Sequence, residues 1–344
     1  MKARLLSAVL ALCLLIGTLA GCGNKVTTIA TVNGTEVPIG YYTAQQMVMR
    51  VQLENRLGDG YEEYMAAANE TDPSKTNAQV CNENYRRAFE MLWLYKLKVA
   101  ELGLEMDEIR LEYFEKEYEY FKYMFNSLAD YRLYLKAANL TEEEHRQIYM
   151  ESVYYPDLLY AYFYDPDAGI ERIDEAQLRN YYDSLVDYSI KHILFAYGED
   201  KSAAKAEAEE VLDKINRGIL KFDDAMSQYS DDSDLTSYPH GYGFVENEEG
   251  FPAVFTTAAK ELKEEEYGLY ESDLGYHIIK RISKDGYFEK VKDIYRQAYG
   301  NEQLQIKYNE WLAELDFQYN QEALNAFDFT AKGRTNANLR RQSQ

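Results

Sequence analysis

Polar and apolar positions change rhythm several times along this chain. Lys2 and Arg4 precede an uncharged apolar run from Leu5 to Ile16, and the small residues Gly17-Thr18-Leu19-Ala20-Gly21 then lead to Cys22. Such a run falls short of the roughly 20 apolar residues that cross a bilayer, and its flanks are those of a secretory leader. Two short stretches, Ile29-Ala30-Thr31-Val32 and Thr35-Glu36-Val37, flank Asn33-Gly34. Asn-Gly tolerates positive φ at both turn positions, so a small β-hairpin is expected here.

From Tyr41 the period becomes helical, interrupted by Gly58-Asp59-Gly60 and Asp72-Pro73-Ser74, and residues 84 to about 164 read as several helices. Leu111, Phe114, Tyr118, Phe121, Phe125 and Leu128 recur at steps of three and four, which predicts one continuous apolar stripe. Thr141-Glu142-Glu143-Glu144 and Ile173-Asp174-Glu175-Ala176 read as helix starts with acidic first turns, with residues 165–169 as a linker between them.

A third rhythm follows, with the order β-α-α-β-α-β-β. A β-branched strand contains Lys191-His192-Ile193-Leu194-Phe195. A helix then carries Ala204, Ala208, Val211, Leu212 and Ile215 on one face and stops at Gly218. A shorter helix spans Phe222 to Tyr229, and Gly241-Tyr242-Gly243-Phe244-Val245 forms a glycine-broken strand. Pro252 opens another helix, and Tyr267 to Tyr270 and Tyr276 to Ile282 supply the last strands. Beyond Asp285-Gly286, Leu304, Tyr308, Trp311, Leu312 and Leu315 form an amphipathic stripe that needs a partner. The polar, aperiodic stretch 331–344 is expected to be disordered.

Composition narrows this reading. At 344 residues and 46% hydrophobic content, the chain can build two cores. The formal charge of −22 becomes −24 once the leader cations Lys2 and Arg4 are removed, so a basic nucleic-acid footprint is absent. Of three cysteines only Cys81 lies beyond the leader region, which excludes an intramolecular disulfide framework. The 33 tyrosines offer stiff amphipathic contact area; packing between helices is their simpler use, and gripping unfolded segments is the alternative.

Five motifs occur in register between Asp187 and Lys284: Lys191-His192-Ile193-Leu194, Tyr229-Ser230-Asp231-Asp232-Ser233, Gly241-Tyr242-Gly243, Phe255-Thr256-Thr257-Ala258-Ala259, and Leu274-Gly275-Tyr276-His277-Ile278-Ile279. Together they resemble the parvulin family of peptidyl-prolyl isomerases. The flanks Ala30-Thr31-Val32-Asn33-Gly34 and Tyr308-Asn309-Glu310-Trp311-Leu312 resemble those of foldases of the PrsA and SurA kind. The resemblance implies an α+β chain with a parvulin domain (187–284) inserted between the N-terminal (22–186) and C-terminal (285–330) parts of a mainly helical chaperone domain. Leu19-Ala20-Gly21-Cys22 resembles the lipoprotein lipobox, implying removal of residues 1–21 and a lipid on Cys22. Two or more acyl chains make a stable anchor. The implied place is the extracytoplasmic face of the cell membrane, and the implied partners are unfolded or partly folded exported polypeptides.

By the same resemblance, Phe251 and Phe255 grip the proline ring with Tyr242 beside them, and His192, Asp232, Ser272 and His277 form the polar network under the twisting bond. No cofactor or metal is implied. Asp232 stands where some parvulins carry cysteine, which argues against a covalent nucleophile. Two features depart from the family pattern: His240-Gly241-Tyr242-Gly243 replaces the usual glycine pair and leucine, and the spacing from Gly243 to Phe251 is one residue longer. The loop 196–200 has no arginine cluster to favour phosphorylated substrates. Twisting an amide costs about 18–20 kcal/mol of resonance, and a cleft that binds the twisted form preferentially gains about tenfold in rate for each ~1.36 kcal/mol.

Other readings of these residues exist. Two histidines and a carboxylate could ligate a metal, although their wide sequence spacing carries no local ligand signature. His192 and His277 could be satisfied core histidines in a noncatalytic holdase. A third possibility is an envelope protein that binds a particular solute. His145, on an acidic helix, and His240 read as surface residues without a role.

Overall fold

The computed structural model describes residues 27–198, 201–246, 248, 251–331 and 333–339. The leader and Cys22 therefore lie outside the described residues. The fold is α+β, and the chain divides into two compact units, one containing residues up to Ile170 and from Gln303 onward, the other Glu171–Glu302.

The first unit begins with strands β1 (Thr28–Val32) and β2 (Thr35–Pro38), paired antiparallel through a turn in which Asn33 and Gly34 have φ of 48° and 80°. Strand β7 (Phe317–Tyr319), almost 300 residues later, pairs with the other edge of β1, placing Ala30 opposite Tyr319. Helices α1 (Gly40–Leu57), α2 (Tyr61–Ala66), α3 (Asn77–Leu102), α4 (Glu108–Tyr123), α5 (Leu128–Ala137) and α6 (Glu142–Tyr164) follow the first two strands. Their starts are written in the sequence: Thr76 with Gln79 and Thr141 with Glu144 form capping boxes, while Asp107 and Ser127 each accept an N–H of the following turn.

Three expectations change in this unit. The aromatic stripe is broken, because α4 ends at Tyr123 and Ser127 caps a new helix. Phe114, Tyr118, Phe121 and Phe125 are buried while Leu111 and Leu128 remain exposed. His145 is buried at 3% exposure, enclosed by the rings of Tyr118, Phe121, Tyr131, Tyr134 and Tyr149 with centroids 5.1–6.2 Å away. The third concerns the C-terminal stretch, which is docked as far as Leu339. Arg50 Nη2 donates to the carbonyls of Ala331 and Gly333 at 2.7 Å, Glu54 Oε2 accepts from Thr335 N–H at 2.8 Å, and Ala337 is buried.

The second unit contains α7 (Glu175–Leu185), β3 (Tyr188–Ala196), α8 (Lys201–Asn216), α9 (Phe222–Tyr229), β4 (Tyr242–Phe244), α10 (Ala253–Glu261), β5 (Tyr267–Glu271) and β6 (Gly275–Arg281). Helix α11 (Lys284–Ala313) begins in this unit, and α12 (Gln321–Ala326) follows β7 in the first. The four strands form an antiparallel sheet in the order β4-β3-β6-β5. Alternation along the strands sorts the side chains by face. Ile193, Phe195 and Ile278 pack against Ala204, Ala208 and Val211 of α8 and Ala225 of α9; Ile190 and Ile279 face Phe255, Ala258 and Ala259 of α10. His192 and His277 share the α10 face.

Candidate active site

Register decides whether the two histidine strands act together. In the β3–β6 ladder His192 stands opposite Ile279 and Leu194 opposite His277, so the imidazoles are diagonal neighbours on one face of the sheet. Their Nδ1 atoms lie 3.2 Å apart. On the outer side of the pair, His192 Nε2 is 3.0 Å from Asp232 Oδ2 and His277 Nε2 is 2.7 Å from Ser272 Oγ. Tyr242 Oη donates to the same Asp232 oxygen at 2.7 Å.

With both imidazoles neutral, these contacts take one assignment of protons. A carboxylate only accepts, so His192 Nε2 carries a hydrogen and its Nδ1 accepts from His277 Nδ1–H. His277 Nε2 then accepts the Ser272 hydroxyl hydrogen, and that oxygen accepts from Leu274 N–H at 3.1 Å. Every ring nitrogen is then used. Electrostatics agree: burial pushes the His192 pKa below its ordinary value against the pull of Asp232, and burial together with His192 lowers that of His277 to about 4. Burial raises the Asp232 pKa, but the Tyr242 hydroxyl, the Asp234 N–H and His192 outweigh it and leave the group below the ordinary carboxylate range. The Tyr242 phenol is raised, first by burial and then by this carboxylate.

Above the network sits an aromatic wall. Phe255, from α10, has its ring centroid 4.7 Å from that of His192 and 5.6 Å from that of His277, the latter edge-on at 88°. Phe251 packs 5.4 Å from Phe255 and 4.4 Å from Phe244, and Tyr242 stacks 6.1 Å from Phe255. All seven residues proposed from sequence line a single cleft of about 1580 Å³ within the second unit. Cys22, the eighth, lies outside the described residues. His240 lines the cleft rim; His145 belongs to the first unit. Among the described residues no cluster of His, Cys, Asp or Glu is arranged to hold a metal.

Sequence reasoning missed Ser230, whose Oγ accepts from Leu194 N–H at 3.1 Å and Asp232 N–H at 3.3 Å, tying the Asp232 loop to β3. It stood inside the motif Tyr229-Ser230-Asp231-Asp232-Ser233, where only Asp232 carried a role. Tyr238, whose ring centroid lies 4.9 Å from that of Tyr242 at a 30° tilt, was also missed because no periodicity marks its loop.

Residues 192–283 match the family model of the rotamases, the PPIC-type PPIase domain, and the segment is a parvulin-type domain, as its motifs indicate. Over a longer span, the chain is 22% identical across 317 residues to the foldase protein PrsA of Clostridium perfringens, covering 84% of this chain and 85% of that protein. Solved structures with likeness include PrsA from Bacillus subtilis (TM-score 0.34, 20% identity, 77% of this chain and 92% of that one). Another is the foldase protein PrsA from Streptococcus pneumoniae (TM-score 0.32, 16% identity, 73% and 89%).

Proposed function

We propose that this chain is an extracytoplasmic foldase that isomerises X-Pro peptide bonds in exported, incompletely folded polypeptides. In this reading the domains are 22–186 and 285–330 for the chaperone part and 187–284 for the isomerase, with Cys22 lipidated after removal of residues 1–21. The observation that carries it is the placement of the Phe255 ring against both imidazoles of a neutral, fully hydrogen-bonded pair.

The geometry supports catalysis without a covalent step. Rotation about the C–N bond removes amide resonance and with it part of the carbonyl dipole, so the twisted form needs less hydration than either planar isomer. A cleft that holds the proline ring against Phe251, Phe255 and Tyr242 and excludes water favours that form. Beneath it, the His192–His277 pair, fixed between Asp232 and Ser272, gives a rigid floor that needs no reorganisation as the bond turns. The described lining residues include no arginine, which argues against a preference for phosphorylated substrates.

The test is the refolding of a protein limited by prolyl isomerisation, a step of tens of seconds without catalyst. Catalytic amounts of the leaderless chain should shorten the slow phase at least tenfold, and Phe255→Ala should restore most of it. A slow phase insensitive to folded wild-type protein contradicts the proposal.

A further inference from the structure

The cleft is larger than a proline ring requires, since sites for whole drug-sized ligands occupy roughly 300–1,000 Å³. Its far end is built by α11, beyond residue 283 where the family match stops. On that helix Tyr287, Val291, Ile294 and Tyr295 all line the cleft, at the spacing of one helical face. Tyr287 and Val291 are buried against Leu178 and Tyr182, which fixes the face in place, whereas Ile294 is 65% exposed.

The helix is also coupled to the altered rim. Tyr287 Oη donates to the Gly241 carbonyl at 3.3 Å, and a Cβ on Gly243 would come within 2.6 Å of Tyr287 Cε1 and 3.2 Å of the Val186 methyls. The missing side chain at Gly243 is therefore what leaves room for the Tyr287 ring beside β4. The α11 wall is thus continuous with the proline pocket through the same strand that carries Tyr242.

We infer that Ile294, on the α11 wall of the cleft that Tyr238 also lines, forms a second subsite that binds an apolar side chain of the substrate polypeptide flanking the proline. This rests on the isomerase reading. Its occupant follows from the lining: an exposed isoleucine on the same helical face as Val291, in a cleft continuous with the proline pocket, gains by excluding water against another apolar group.

Exchange NMR on the full chain tests it with three peptides: Ala-Leu-Pro-Ala, the same core extended by Leu-Ala on its N-terminal side, and the core extended by Ala-Leu on its C-terminal side. One extended peptide should show kcat/KM about tenfold above the tetrapeptide, a gain typical of burying one aliphatic group. Ile294→Asp should abolish that ratio and Ile294→Leu preserve it. Equal values for all three peptides, or a ratio that survives Ile294→Asp, overturns the subsite while leaving the isomerase reading intact. If wild type accelerates none of them, the isomerase reading itself fails. Fluorescence anisotropy of the labelled extended peptides on wild type and Ile294→Asp then decides the subsite by the ratio of affinities.

Discussion

The protonation of two histidine environments gives this molecule its sharpest residue-scale signatures. Burial holds His192 below its ordinary value and, together with His192, holds His277 down to about 4, so the neutral network persists from alkaline pH through 6.5 and is lost at lower pH. The isomerisation rate should therefore stay flat from pH 8 through 6.5 and fall only at lower pH, provided circular dichroism shows the fold intact. A midpoint near 6.5, the ordinary histidine value, contradicts a buried neutral pair.

His145 makes a separate prediction about stability. Burial lowers its pKa to about 3, and its Nδ1 lies 3.0 Å from the Tyr118 hydroxyl. The unfolded chain binds a proton there near pH 6.5 and the folded chain does not until about 3, so stability falls as pH drops between those values and levels off below. Chemical denaturation at pH 7 and pH 4 should show His145→Phe losing less stability on acidification than wild type, by on the order of 3 kcal/mol. Equal losses in the two proteins would show that this imidazole is not the proton acceptor.

Among elements, the sheet of the second unit was legible and the C-terminal strap was not. Alternating β-branched strands around two rare histidines announce their faces, and register then brings His192 and His277 together. The expected surface position of His145 failed for a non-local reason. The acidic turn Glu142-Glu143-Glu144 made α6 look solvated, but α4 and α5 cover the next turn with aromatic rings. The strap leaves no periodic pattern because its contacts are irregular: the buried pair Arg50–Glu54, 2.8 Å apart, binds two of its carbonyls and the N–H and hydroxyl of Thr335. Removing one partner of such a pair strands a buried charge at a cost of about 3–5 kcal/mol. Arg50→Met should lower unfolding free energy by that order and speed hydrogen exchange at the Thr335 amide. Unchanged stability together with unchanged Thr335 protection would show that the clasp contributes nothing.

At the scale of the whole molecule, two units with separate cores divide the work this account assigns them. Strand β7 and the last turns of α11 return to the first unit, where Phe317 and Tyr319 pack on Phe89 and Trp311 on Phe163, so the stripe seen near the C-terminus finds its partner there. The second unit holds the cleft, and the motifs located it because a parvulin-type domain is compact in sequence. Its α11 wall escaped notice because it lies past the last motif.

Exchange NMR on an X-Pro peptide with residues 22–344 decides between isomerase and holdase. Substoichiometric wild-type protein should accelerate the exchange, with rates reduced at least tenfold in Phe255→Ala and in His277→Ala while both variants remain folded. No acceleration by stoichiometric, folded wild-type protein, with suppression of client aggregation intact, would contradict it and leave a holdase in place of an isomerase.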